Sequence, residues 1–150
     1  KNIKIEGCEI IIKENCFKSC ENISSFSIEN AKNAIINAKS FVECCKLRTI
    51  SIKSFNFIGI SNNSFNLMEN LNLENINLTC NEWKIGNSAL SSFKNINLFF
   101  FNCDKDFDVS SDIFGGCKSI NHISFLTQAK IRIIPDCFSE FKIGQIDDFS

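Results

Sequence analysis

Apolar positions recur along this chain at a spacing longer than any single helix or strand could impose. Starting from Phe17, an equivalent large apolar residue returns at Phe41, Phe65, Leu90, Phe114 and Phe138, at intervals of 24, 24, 25, 24 and 24 residues. Repetition of this kind sets the whole fold, so it takes precedence over local patterns. The neighbours of each anchor repeat with it. Five residues earlier stand Ile12, Ile36, Ile60, Ile85, Val109 and Ile133, and seven earlier stand Ile10, Ala34, Ile58, Trp83, Phe107 and Ile131. Three residues later come Cys20, Cys44, Met68, Phe93, Cys117 and Phe141. Six later come Ile23, Leu47, Leu71, Ile96 and Ile120, with Gly144 breaking the phase in the last unit. Eleven later come Ile28, Ile52, Ile76, Phe101, Phe125 and Phe149.

Each unit therefore reads apolar-x-Ile-x-x-x-x-Phe-x-x-Cys-x-x-Leu-x-x-Ile-x-Ile. The closing alternation has the period of a short strand with one buried face. Apolar residues at every third place in Phe-x-x-Cys-x-x-Leu suit one helical or 3₁₀ turn facing inward. The earlier pair, such as Ile10 and Ile12 or Ile58 and Ile60, predicts a second short strand on the opposite side. A unit of about 24 residues cannot bury its apolar face alone, so the units must stack into a solenoid with a continuous core. The expected architecture is a β-dominated array of about six coils spanning residues 1–150.

These residues resemble the BspA-type leucine-rich repeat, whose motif runs roughly Ile-Gly-x-x-Ala-Phe-x-x-Cys-x-x-Leu-x-x-Ile-x-Ile-Pro. Ile85-Gly86-Asn87-Ser88-Ala89-Leu90 matches its opening, with Leu in place of Phe. Phe114-Gly115-Gly116-Cys117-Lys118-Ser119-Ile120 and Phe41-Val42-Glu43-Cys44-Cys45-Lys46-Leu47 match its middle. The resemblance covers residues 10 to 149 and departs from the family in lacking the Pro after the strand. It implies a leucine-rich-repeat solenoid that binds another protein, in adhesion or surface recognition. Ile3-x-Ile5 reads as the strand closing a preceding unit, and no polar capping unit stands at either end. The expectation is a fragment of a longer array, its ends covered by further repeats or a partner chain.

Composition narrows the partners. Sixteen basic against 17 acidic residues, a net charge of -1 and a pI near 5.9 remove the electrostatic case for nucleic acid. No apolar run approaches the roughly 18 residues of a spanning helix, so no membrane insertion is expected. Sequons at Asn22, Asn62 and Asn77 match the number that chance gives for 20 Asn, and carry no evidence for secretion.

Most candidate chemistry dissolves into the repeat. Cys20, Cys44 and Cys117 share a position with Met68, Phe93 and Phe141, which marks it as packing. Cys16 and Cys137 both precede an anchor, whereas Cys8, Cys45, Cys80 and Cys103 lie off the repeat positions, where exposure and reactivity are expected. No zinc spacing occurs, and a disulfide between adjacent coils is geometrically open to Cys20 and Cys44. Asp104, Asp106, Asp108 and Asp112 alternate like a calcium loop, but Val109 stands where that loop needs Gly. His122 is the lone histidine and has no nucleophile in a recognisable motif with it. No catalytic residue, metal or cofactor is therefore assigned.

The outward strand positions, eight and ten after each anchor, are the remaining signal. They read Ser25 and Ser27, Thr49 and Ser51, Leu73 and Asn75, Leu98 and Phe100, then His122 and Ser124. Thr49, Ser51, Leu73, Asn75, Leu98, Phe100, His122 and Ser124 form the candidate partner-binding face. Leu73, Leu98 and Phe100 would make its apolar centre. A local register shift, or cover by residues Phe55 to Phe57, would dissolve that centre. Two further readings stay open: an intracellular scaffold in a cytoskeletal or regulatory assembly, and a repeat domain attached to an enzyme. Family resemblance places the chain at the cell surface; nine cysteines suit a reducing cytoplasm better.

Overall fold

The structure is a computed structural model that describes residues 1–65, 71–90, 93–109, 111–114, 117–134 and 142–148. Its elements are β1 (Asn2–Glu6), β2 (Glu9–Ile12), β3 (Ser25–Ile36), β4 (Thr49–Ile60), β5 (Leu71–Cys80) and β6 (Glu82–Ile85). Then follow β7 (Phe93–Cys103), β8 (Phe107–Val109), α1 (Ser111–Phe114), β9 (Ser119–Phe125), β10 (Ile131–Ile133) and β11 (Lys142–Asp148). Strands β1, β3, β4, β5, β7, β9 and β11 pair in that order, every pair parallel. Each circuit of the chain adds one strand to the ladder.

The expected second strand is present. β2 and β6 pair with the ends of β3 and β4, and β10 pairs with β8. In β3 and β4 it continues unbroken from the first strand. The pairing of these two shifts register between Ile28 and Ala31 and again before Asn33. There Asn30 turns left-handed at φ 58°, a conformation that Asn tolerates better than most residues.

The anchor segment forms the tight turn its spacing predicts. Cys20 N–H donates to Phe17 O and Ile23 N–H to Cys20 O; Cys44 and Leu47 repeat both bonds on Phe41 and Cys44. Such bonds to the third residue back are those of a 3₁₀ turn. Two residues before four successive anchors the backbone is again left-handed, at Asn15, Lys39, Asn63 and Ser88.

Anchors stack ring on ring. Phe17, Phe41 and Phe65 follow one another with centroids 5.1 Å apart, and Phe26 meets Phe41 edge-on at 4.8 Å. In the fourth coil the anchor is Leu90, and the ring comes instead from Phe93, 5.5 Å from Phe65. Large and small residues have exchanged places there: Phe41 with Cys44 becomes Leu90 with Phe93. Trp83, Phe101, Phe107 and Phe125 form a second cluster under the later coils.

Two coils depart from the expected phase. In the third, Thr49 and Ser51 pair with Asn75 and Asn77, two residues later than the regular count. The core places beside Ile50 and Ile52 thus go to Ile76 and Leu78, where the regular count from Phe65 gives Glu74 and Ile76. In the sixth, Ile143 pairs with Ile120 and Ile146 with Ile123, one residue earlier than the count. Asp148 therefore stands opposite Phe125. A one-residue slip reverses every side chain of a strand, so the isoleucines choose the register. Gly144 makes it possible, because a Cβ there would lie 2.3 Å from Asn121 O. Met68, Phe138, Cys137, Phe141 and Phe149 lie outside the described residues.

Candidate functional site

The parallel register turns single outward residues into rows that cross the coils. One row runs Asn2, Ser25, Thr49, Asn75, Leu98, His122 and Gln145. The row beside it runs Lys4, Ser27, Ser51, Asn77, Phe100, Ser124 and Asp147. Thr49, Ser51, Asn75, Leu98, Phe100 and His122 occupy these rows and are half-buried, in contact with their neighbours but open on one side.

Leu73 is corrected. It is 1% exposed and pairs with Ile96, inside the core, because of the two-residue slip in the third coil. Asn77 takes the outward place instead, so the apolar centre shrinks from three residues to Leu98 and Phe100 on one strand. Residues Phe55 to Phe57 belong to β4 and do not cover the face, and Phe55 is itself exposed. Ser124 keeps its place in the row but is buried, offering little surface. A signal for the slip is present in the sequence. Nine residues after the anchor stand Phe26, Ile50, Phe99 and Ile123, all buried, and without the slip that place would fall to Glu74.

Charge sits at the two ends of the face. Lys4 bridges Glu6 at 2.9 Å and Glu29 at 2.7 Å. At the far end His122 Nε2 pairs with Asp147 Oδ2. The Gln145 amide, with help from His122, holds the Asp147 carboxyl below the usual carboxylate range. Sequence spacing misses Asp147 because the one-residue slip in the sixth coil is what aligns it with this row.

Where the strands begin, a groove of about 400 Å³ borders the rows, with Arg48, Asn72, Glu74, Asn95, Asn97 and Asn121 among its lining residues. Its amides bond along the stack: Asn95 donates to Asn72 at 2.7 Å and Asn121 to Asn97 at 3.1 Å. On the opposite side Asn56 donates to Asn33, which donates in turn to Glu9. An amide has both donor and acceptor, so identical amides in register satisfy one another. Several of the chain's 20 Asn thereby join one coil to the next.

The cysteines divide differently from expectation. Cys44 and Cys117 are buried, and burial pushes each thiol up to about 11. Cys8, Cys16 and Cys45 are exposed. Cys80 and Cys103, expected at the surface, are buried instead, at the corner where β5 and β7 end. All described cysteines are free, Cys20 and Cys44 included. The aspartate run serves the next coil: Asp106 accepts the Lys130 amide at 2.8 Å, and Asp108 pairs with Arg132 Nε at 2.5 Å.

A family model described as a BspA type leucine rich repeat region matches the chain in six copies across residues 9–144. No curated protein and no solved structure shows significant similarity to it.

Proposed function

The chain belongs to the BspA-type leucine-rich repeat family, and on that premise we propose that it is a protein-binding module. Modules of this family are generally protein-binding, and solenoids expose long regular surfaces in place of deep pockets. The binding face in this proposal is the pair of outward rows, with Thr49, Ser51, Asn75, Asn77, Leu98, Phe100 and His122 as contacts. The observation that carries it is the adjacency of Leu98 and Phe100 on β7, an apolar step in rows that are otherwise polar. Apolar anchors within a polar rim are the common composition of a recognition surface. The partner is another protein, and the proposal includes no catalytic residue.

Adhesion or surface recognition is one setting for this proposal, the one that the family resemblance implies. The free thiols, with Cys8, Cys16 and Cys45 open to solvent, favour the second setting, an assembly in a reducing compartment. A photo-crosslinking amino acid at position 100, set against one at position 11 on the opposite ladder, tests the face in extracts of the source cells. Adducts formed from position 100 and lost with Leu98→Ser support the proposal. Equal adducts from both positions, unaffected by Leu98→Ser in a folded protein, overturn it.

A further inference from the structure

The buried corner that ends β5 and β7 contains more chemistry than its structural task requires. Cys80 and Cys103 are register partners on these adjacent parallel strands, so both side chains leave the sheet on the same side. Their hydrogen bonds show what the corner needs. Cys80 Sγ–H donates to Glu82 O at 3.1 Å, and Cys103 Sγ–H donates to Asn81 O at 3.1 Å. One coil earlier Ser54 does the same work, its hydroxyl placed to donate to Lys32 O at 2.6 Å or Phe57 O at 3.0 Å. One coil later it is Thr127, whose hydroxyl donates to Cys103 O. A small donor suffices at this corner, and a hydroxyl supplies it in both flanking coils. Two thiols side by side exceed that requirement.

We propose that Cys80 and Cys103 are a peroxide-responsive dithiol that closes to a disulfide between the third and fourth coils. In-register parallel neighbours stand about 4.8 Å apart at Cα, inside the window of roughly 4.4–6.8 Å that a disulfide spans. The surroundings distinguish the two sulfurs. Each thiol acts on the other's: Cys80 beside it lowers the Cys103 thiol, and Cys103 in turn raises that of Cys80. The buried Trp83 Nε1–H, without an acceptor in hydrogen-bonding geometry among the described residues, lies close enough to Cys103 to favour its thiolate. Cys103 is thus the attacking sulfur and Cys80 the resolving one.

The step balances with a hydroperoxide as oxidant. The Cys103 thiolate attacks the peroxide, an S–O bond forms, the O–O bond breaks, and the leaving oxygen takes a proton as alcohol or water. Cys80 then attacks the Cys103 sulfenic acid, the S–S bond forms, the S–O bond breaks, and the Cys80 proton leaves with hydroxide as water. Two electrons pass from the two sulfurs to the peroxide. The product fastens β5 to β7, the strands that carry Asn75, Asn77, Leu98 and Phe100.

Hydrogen peroxide applied to the full chain tests this, in a background with Cys8, Cys16 and Cys45 changed to Ser. Non-reducing peptide mapping should find one linked pair, Cys80 with Cys103, two hydrogens lighter than its parts and reopened by dithiothreitol. Cys80→Ser keeps a corner donor, as at Ser54, and should leave a Cys103 sulfenic acid trapped by dimedone. That adduct should exceed the one on Cys80 in Cys103→Ser. Linkage of Cys103 to any other cysteine overturns the proposal. So does recovery of both thiols at peroxide doses that oxidise Cys8, Cys16 and Cys45 in the parent chain. The mapping of the background protein decides even if a serine variant fails to fold.

Discussion

The exchange of sizes in the fourth coil leads to a double-mutant prediction. Phe41 with Cys44 and Phe114 with Cys117 put the ring on the anchor, whereas Leu90 with Phe93 puts it three residues later. Leu90 and Phe93 are both essentially without solvent exposure, and the Phe93 ring reaches within 5.5 Å of Phe65. Phe93→Cys alone deletes a fully buried ring and should cost about 3–4 kcal/mol. Leu90→Phe alone forces a second ring into a filled layer and should cost about 1–3 kcal/mol. Independent effects would sum to about 5 kcal/mol. If the two positions share one slot, the double variant restores the arrangement of the other coils and loses only about 1 kcal/mol, a coupling of about 4 kcal/mol. Urea unfolding followed by fluorescence is a suitable assay, because the single tryptophan, Trp83, stands seven residues before Leu90. A double variant destabilised by the sum of the two, within about 0.5 kcal/mol, would refute the shared-slot reasoning.

Other consequences are equally direct. Gly86→Ala should lower the midpoint of thermal unfolding by an amount equivalent to about 1–3 kcal/mol, since its Cβ would lie 2.5 Å from the Asn62 backbone nitrogen. Lys39→Gly should raise it by the equivalent of about 0.5–1 kcal/mol, because Lys39 is left-handed at φ 55° and its ion pair with Glu14 spans 4.0 Å at the surface. Acid titration of stability should show the Asp147 contribution in full above the ordinary carboxylate pKa near 4 and its loss as pH falls below that. The folded-state value is lowered there, so Asp147→Asn should flatten that part of the curve. Native alkylation should modify Cys8, Cys16 and Cys45 and spare Cys44 and Cys117 until the chain unfolds, as mass spectrometry after timed quenching will read.

Much of this architecture is legible in the sequence because the repeat multiplies a weak signal. One Phe-x-x-Cys-x-x-Leu segment means little, but its return fixes the turn, the strand and the direction of stacking. What escapes is local phase. The third coil takes two extra residues between Phe65 and its strand, and a shift by two leaves the alternation of apolar and polar residues intact. Counting from the anchor therefore puts Leu73 outside, and Glu74 at a buried place is the warning. Cys80 and Cys103 escape for another reason: the corner selects small hydrogen-bond donors, and Ser, Cys and Thr share no apolar pattern. Leu98 and Phe100 stand on the outward rows because their coil keeps the regular count.

The ladder joining the coils also governs how the molecule bears load. Its backbone hydrogen bonds point along the axis of the stack, so tension along that axis pulls each rung lengthwise and opens one coil at a time. A coil of about 24 residues adds about 4.8 Å to the folded stack and about 80 Å once extended. Stretched from its ends, the array behaves as a series of weak fuses with large reserves of length. It yields early and lets out slack while the remaining coils stay wound.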